Sequence, residues 1–207
     1  MSEPETLTSE YKSFLHQRQN TLQAEAKMVL DDLKLIKLLS TLGSPILLGS
    51  SALGLMVWPD IDTAVSSPGL TIDQVMETMR PVYVHPRIKR VRYANEVGRF
   101  NPTGLALDDR YYFGVYYHAS TGTEWKVDIS FWSSVEEHPE PFHEALARQL
   151  TGETRLAILW IKDVWYRLPT YRDQVYSVDI YDAVLTHGVR TPAEFDKYLI
   201  EHGKPAR

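Results

Sequence analysis

The sequence predicts an α/β domain, in which a mixed β-sheet is flanked by helices, followed by a C-terminal all-helical lobe. Strand-like stretches rich in Val, Ile, Tyr and Phe alternate with turns in the middle of the chain. A long amphipathic pattern with helical spacing precedes them, and only helical patterns follow Pro139. We therefore expect the α/β domain over 1–135 and the helical lobe over 136–207.

Composition narrows the function classes. The chain has 207 residues, a net charge of −5 and no cysteine, which excludes disulfides, thiolate zinc sites and cysteine nucleophiles. The acidic balance argues against a broad nucleic-acid surface, because such binding depends on phosphate neutralisation. No apolar run is long enough to span a membrane, and the first residues are acidic and polar. We expect a cytoplasmic protein without a membrane partner, and the oligomeric state stays open.

The first half of the chain shows clear element boundaries. Apolar residues at helical spacing predict a long helix over 8–39, and the turn over 43–45 ends it. A short strand over 46–48 follows and stops at a glycine. Thr71 and Gln74 form a capping-box pattern for a helix that is expected to end before Pro81.

Three strands and four helices are predicted beyond this point. The strands are expected over about 82–100, 110–119 and 124–132, separated by turns rich in Gly, Asn and Ser. Helices are then predicted from proline, threonine and glycine signals, beginning near Pro141, Thr151, Asp173 and Thr191. The third of them is expected to reach His187 and the fourth Gly203.

Carboxylates mark a candidate site. Residues two apart on a strand point to the same side, so Asp60 and Asp62 aim two carboxylates at one place. Asp128 lies between the apolar residues Val127 and Ile129 of a later strand, where a carboxylate is costly unless it reaches water, a partner or a metal. Carboxylate pairs and phosphates are the ligands that Mg²⁺ prefers. The three aspartates therefore predict a metal site in which they converge.

A phosphate site is predicted just upstream. Gly49 permits a tight turn after the strand, and Ser50 and Ser51 begin a segment whose free backbone N–H groups can hold a phosphate. A phosphate cradle beside a carboxylate pair and a third carboxylate is typical of metal-assisted phosphoryl or nucleotidyl transfer.

The motif resembles the nucleotidyltransferase superfamily, which contains DNA polymerase beta and the aminoglycoside nucleotidyltransferases. It comprises Gly49-Ser50, then Asp60-Ile61-Asp62, then the isolated Asp128 within about 46–132. The resemblance implies a nucleotidyltransferase-type catalytic domain in which Gly49 and Ser50 hold the triphosphate and Asp60 and Asp62 bind metal. Asp128 would be the third carboxylate, either as metal ligand or as base. The stretch 53–59 is more apolar than the polar loop usual in that family.

Basic residues offer a weaker signal. The segment 80–99 carries several arginines interleaved with tyrosines, which suits either an anion-guiding surface or, as we favour, a solvated strand face. Arg155 and Lys162 lie seven residues apart on an apolar helix. Lys162 is predicted to lend its charge to the triphosphate, while snorkelling from a buried helix is the competing interpretation.

These observations predict an enzyme that transfers a nucleoside monophosphate from a nucleoside triphosphate, taken to be ATP, to a hydroxyl. Mg²⁺ or Mn²⁺ is the expected cofactor. The acceptor is expected to be a small molecule, and the acidic chain suits a cationic one. Two alternatives stay open: an inactive relative that binds nucleotide or a protein partner, as antitoxin-like proteins do, and an RNA-tailing enzyme.

Overall fold

A computed structural model describes residues 6–133 and 141–207. The described chain forms two compact units. One contains the described residues within Met1–Leu22, Gly54–Trp58 and Pro141–Arg207, and is called the helical unit below. The other contains those within Gln23–Leu53 and Pro59–Glu140, and is called the sheet unit. The predicted boundary at 135/136 lies outside the described residues.

The sheet unit is built on five strands in the order β1-β2-β5-β4-β3. The strands are β1 (Ile46–Leu48), β2 (Asp60–Ser66), β3 (Ile88–Glu96), β4 (Arg110–His118) and β5 (Glu124–Trp132). Only β2 and β5 pair in parallel, and the other three pairings are antiparallel. The sheet is therefore mixed, as the sequence predicts.

Eight α-helices are described. They are α1 (Ser9–Asp32), α2 (Leu35–Leu39), α3 (Gly49–Leu53), α4 (Ile72–Tyr83), α5 (Pro141–Gln149), α6 (Gly152–Trp165), α7 (Ser177–Leu185) and α8 (Pro192–Glu201). Within the described ranges, no helix combines the length and the apolar character that crossing a membrane requires.

Alternation along the strands separates two faces of the sheet. On β5, Val127, Ile129 and Phe131 have no exposed surface, whereas Lys126 and Asp128 are half-buried. The side chains on the buried face belong to the core of the sheet unit, to which α4 contributes Val75, Met79 and Val82. The opposite face carries the polar residues, as expected for a strand with period two.

The predicted helix over 8–39 is two helices. Lys34 separates α1 from α2 with a left-handed backbone (φ 50°). Leu33 and Leu35 on either side are both buried. Packing of both leucines therefore outweighs the left-handed strain, which is about 1–2 kcal/mol for a residue with a side chain.

The boundary between α4 and β3 was also predicted wrongly. The Thr71–Gln74 capping box is present, but α4 continues through Pro81 to Tyr83, and β3 begins only at Ile88. A proline this close to a helix end removes a single backbone hydrogen bond. Val82, which is buried, retains the chain in the helix.

The helical unit contains α5 to α8. Thr151 and Thr191 cap α6 and α8, the helices predicted to begin near them, and each cap forms a capping box. The third helix is shorter than predicted, since α7 begins at Ser177 and ends at Leu185. Asp179 fixes this start, because its Oδ2 accepts the backbone N–H of Tyr176 at 2.8 Å.

Replacing Lys34 by glycine tests the break between α1 and α2. Lys34→Gly should raise the free energy of unfolding by about 0.5–1 kcal/mol, because glycine adopts the left-handed conformation without the steric cost. Lys37→Gly, at an exposed position inside α2, should instead lower it by about 1 kcal/mol. Urea unfolding measures both, and a loss of stability in Lys34→Gly would contradict the assigned break.

Candidate active site

The parallel pairing of β2 with β5 brings the motif aspartates to one face of the sheet. Asp62 is the register partner of Asp128, and Asp60 is the register partner of Lys126. Because register partners on neighbouring strands point to the same side, all four side chains share a face. Each of the four residues is half-buried. We call this surface the carboxylate face.

Gly49 lies directly against Asp62. The backbone of Gly49 is left-handed (φ +61°), and a Cβ at this position would come within 2.2 Å of Asp62 Oδ2. Two independent constraints therefore select glycine here: the conformation and the close approach of the carboxylate. The turn between β1 and α3 consequently forms one wall beside the Asp62 carboxylate.

Asp128 is engaged by two neighbours on the same face. Its Oδ1 accepts the hydroxyl proton of Tyr112 at 2.7 Å, and its Oδ2 accepts from Lys126 Nζ at 2.5 Å. Burial and the hydrogen bond to Asp128 raise the pKa of the Tyr112 phenol above its usual value of 10. Tyr112 thus remains a proton donor to Asp128, and the carboxylate is held in a fixed orientation.

A metal ion suits the aspartate pair better than the predicted triad. Within 6–133 and 141–207, no three His, Cys, Asp or Glu side chains are grouped so as to hold a metal ion. The expected convergence of Asp60, Asp62 and Asp128 is therefore not seen, because the oxygens of Asp128 are directed at Lys126 and Tyr112. Asp60 and Asp62 share a strand and a side, which fits a Mg²⁺ ion that takes one or two carboxylates beside substrate phosphates.

Both predicted phosphate-binding serines are buried in α3. The Ser51 hydroxyl donates to the Leu48 carbonyl at 3.0 Å, and the Ser51 carbonyl accepts from Gln23 Nε2 at 2.7 Å. The Ser51 side chain therefore fastens α3 to the end of β1. Ser50 is buried to a similar degree, with 7% of its surface exposed.

Lys162, predicted to approach the triphosphate, lies in the helical unit with no exposed surface. Its Nζ donates to the Leu55 carbonyl at 2.8 Å and lies 4.8 Å from the centre of the Trp58 ring. Arg155, one heptad earlier, donates to the Gly54 carbonyl at 3.0 Å. Both cations of α6 therefore hold the backbone of 54–58.

The segment 54–58, just upstream of Asp60, is apolar because it packs into a core. Leu55, Met56 and Val57 are buried in the core of the helical unit, and Trp58 stacks on Tyr166 with ring centroids 5.8 Å apart. This segment is part of a hydrophobic core, which accounts for its departure from the polar loop usual in the resembling family.

Lys126 and Tyr112 are the site residues that the sequence prediction missed. Lys126 stands two residues before Asp128, so strand alternation alone could have placed it on the carboxylate face. Tyr112 has no such signal. It reaches Asp128 from β4, where its register partner is Ser130, and that register is a property of the folded sheet.

Comparisons with known proteins give a structural likeness but no match in sequence. No protein-family model matches the chain, and no curated protein is significantly similar to it. A solved structure described as the basis for the activity of a cytoplasmic RNA terminal U-transferase is similar, with a TM-score of 0.46 and 13% identity. The match covers 75% of this chain and 46% of that one, so this chain spans less than half of its length. At this TM-score and identity, the likeness assigns no role to any residue of this chain.

Gly49→Ala tests the close approach to Asp62. The added methyl group should displace the Asp62 carboxylate and lower the free energy of unfolding by more than the roughly 1–2 kcal/mol expected from left-handed strain alone. Gly98→Ala is the matched control, because Gly98 has φ +57° and nothing within 4 Å of the added carbon. Equal losses in the two variants, measured by urea unfolding, would remove the proposed contact.

Tyr112→Phe tests the hydrogen bond to Asp128 through its pH dependence. A raised folded-state pKa contributes stability that is present below pH 10 and is lost as pH rises further, since only the unfolded chain then releases the proton. At pH 8 the variant should be less stable by about 1 kcal/mol. Between pH 8 and pH 11 it should lose less stability than the unmodified protein. Parallel losses in denaturant titrations at the two pH values would contradict this.

Proposed function

We propose that the chain is a nucleotidyltransferase that moves a nucleoside monophosphate from a nucleoside triphosphate, with ATP as the expected donor, to an acceptor hydroxyl. One observation carries the proposal: the β2–β5 register sets Asp62 opposite Asp128, with Gly49 in contact with Asp62. Asp60, Asp62 and Asp128, which the sequence resemblance selects and which are separated along the chain, therefore share one half-buried face of the sheet.

The reaction balances without any further reagent. The acceptor oxygen forms a bond to the α-phosphorus, and the bond from that phosphorus to the bridging oxygen of the β-phosphate breaks. Pyrophosphate leaves with the electrons of the broken bond. The proton of the acceptor hydroxyl passes to the Asp128 carboxylate, which completes the transfer.

Each residue of the carboxylate face takes a proposed role. Asp60 and Asp62 would hold Mg²⁺ or Mn²⁺, which neutralises phosphate charge and polarises the phosphorus when bound. Asp128 orients the acceptor hydroxyl and accepts its proton. Lys126 and Tyr112 fix the direction of the Asp128 oxygens. The backbone N–H groups at Gly49 and Ser50, beside Asp62, would hold the donor phosphates.

A binding protein without turnover is the second candidate, and the ion pair between Lys126 and Asp128 favours it. An internal cation on the third carboxylate takes the place that a second metal ion has in two-metal enzymes. In this case nucleotide should bind with an affinity that does not depend on divalent metal. Titration calorimetry with ATP in the presence of Mg²⁺ or a chelator separates the two candidates.

Asparagine substitutions at the aspartate pair test the catalytic proposal. Asp60→Asn and Asp62→Asn should each lower nucleotidyl transfer by about 100-fold or more, which corresponds to about 2.7 kcal/mol of lost transition-state stabilisation. Mg²⁺ together with a non-hydrolysable ATP analogue at about 100 times its Kd should raise the Tm of the unmodified protein by roughly 5–10 °C. Neither substituted protein should show that shift.

Asp31→Asn provides the control for this experiment. Asp31 is exposed and paired with Lys27 on the surface of α1, so its loss changes charge equally while leaving the carboxylate face intact. It should retain both activity and the thermal shift. If Asp62→Asn responds to metal and nucleotide as the unmodified protein does, the proposed metal-binding role of the pair is wrong.

A further inference from the structure

Two rows of register partners continue the carboxylate face across the sheet to its edge strand. The first row runs through Asp60, Lys126, Tyr116 and Arg90 on β2, β5, β4 and β3. The second row runs through Asp62, Asp128, Gly114 and Arg92 on the same strands. Side chains within a row share a face. Each row thus begins with an aspartate on β2 and ends with an arginine on β3, on the same face of the sheet.

The two arginines are arranged around one aromatic ring. The guanidinium carbon of Arg90 lies 3.8 Å from the centre of the Tyr116 ring, and that of Arg92 lies 5.9 Å from it. Stacking on an aromatic ring holds a guanidinium in place while its N–H groups stay available in the plane. Both arginines are exposed, so these donors face solvent.

Arg90 and Arg92 differ from the other cations on the five strands, each of which pairs with a carboxylate. Lys126 pairs with Asp128, Arg110 with Glu96, and Lys89 with Glu124. By contrast, no carboxylate of the described residues lies within 4.0 Å of Arg90 or Arg92. An oriented pair of guanidinium groups with no internal counter-ion suits an external anion, and phosphate matches their bidentate geometry.

Gly114 is the residue between Arg92 and Asp128 on this face. It carries no side chain, and a Cβ there would already come within 3.2 Å of the Tyr112 hydroxyl. Two strand spacings, roughly 10 Å of backbone, separate Arg92 from Asp128. A ligand of nucleotide size is long enough to span that interval and contact both.

We propose that Arg90, Arg92 and Tyr116 form a subsite for a phosphate group of the acceptor, whose hydroxyl is presented to Asp128. This inference rests on the proposed function and specifies its substrate class: the acceptor is a phosphate-bearing molecule rather than the small cationic one that the net charge suggested. The phosphate belongs either to a small phosphorylated compound or to a single-stranded nucleic acid, and both present the same group to the arginines.

Binding without donor or metal tests the subsite separately from catalysis. The probes are AMP, adenosine, and a fluorescently labelled single-stranded oligonucleotide of about ten nucleotides, each in buffer without divalent metal. AMP or the oligonucleotide should bind, and adenosine should not. Arg90→Ala/Arg92→Ala should weaken that binding about tenfold or more. For the oligonucleotide, it should also reduce the slope of log K against log salt by about 1.4.

Two matched variants sharpen the result. Lys89→Ala/Arg99→Ala removes the same charge from cations that contact Glu124 and Phe100 instead, and it should bind nearly as the unmodified protein does. Arg90→Lys/Arg92→Lys keeps the charge but loses the planar stacking on Tyr116. Its affinity should lie between that of the unmodified protein and that of Arg90→Ala/Arg92→Ala. Equal weakening in both alanine double variants would overturn the proposal, since it would reveal only a general effect of net charge.

The choice of probe identifies the source of the phosphate. Arginine-dependent binding of AMP alone supports a small phosphorylated acceptor, and arginine-dependent binding of the oligonucleotide supports a nucleic-acid strand. Binding of neither probe, or binding unaffected by Arg90→Ala/Arg92→Ala, overturns the subsite. The thermal shift with Mg²⁺ and the ATP analogue should persist in that variant. Absence of this shift in the unmodified protein would instead count against the proposed function.

Discussion

The parallel pairing between β2 and β5 is the constraint on which the candidate site depends. A slip of one residue would turn every carboxylate of either strand to the opposite side of the sheet. The register is held from the other face, where Ile61, Val127 and Ile129 have no exposed surface. The Lys126 N–H also donates to the Pro59 carbonyl at 3.1 Å and extends the pairing beyond Asp60. Apolar packing on one side of the sheet thus sets the polar chemistry on the other.

Much of the sheet could be predicted from local pattern, because the alternation of apolar and polar residues shows which side of a strand is buried. The bounds of β5 agree with the prediction, and alternation put Asp128 on the side away from Val127. The helix break at Lys34 could not be predicted in this way, since apolar residues at helical spacing continue on both sides of it. Its position depends on how two buried leucines pack, which is a property of the tertiary structure.

The candidate site was predictable in its acids and not in their neighbours. The spacing of Asp60 and Asp62 fixes their common side, whereas the contact of Tyr112 with Asp128 needs the β4–β5 register. The segment 54–58 shows the same limit. Its apolar composition was visible in the sequence, but its place in a core depends on Lys162, whose Nζ bonds to a carbonyl 107 positions earlier in the chain. Contacts of such separation leave no local pattern.

The 107 positions between Leu55 and Lys162 affect how the protein folds during its synthesis. The helical unit comprises three parts of the chain that are far apart in sequence: the described residues within Met1–Leu22, the five residues Gly54–Trp58, and Pro141–Arg207. At about 5–20 residues per second, roughly 5–20 s of synthesis separate Leu55 from Lys162. Closing a loop of this length also slows folding once both ends exist. During that interval Leu55, Met56 and Val57 have no completed core to enter, so this apolar stretch of the nascent chain stays exposed to solvent.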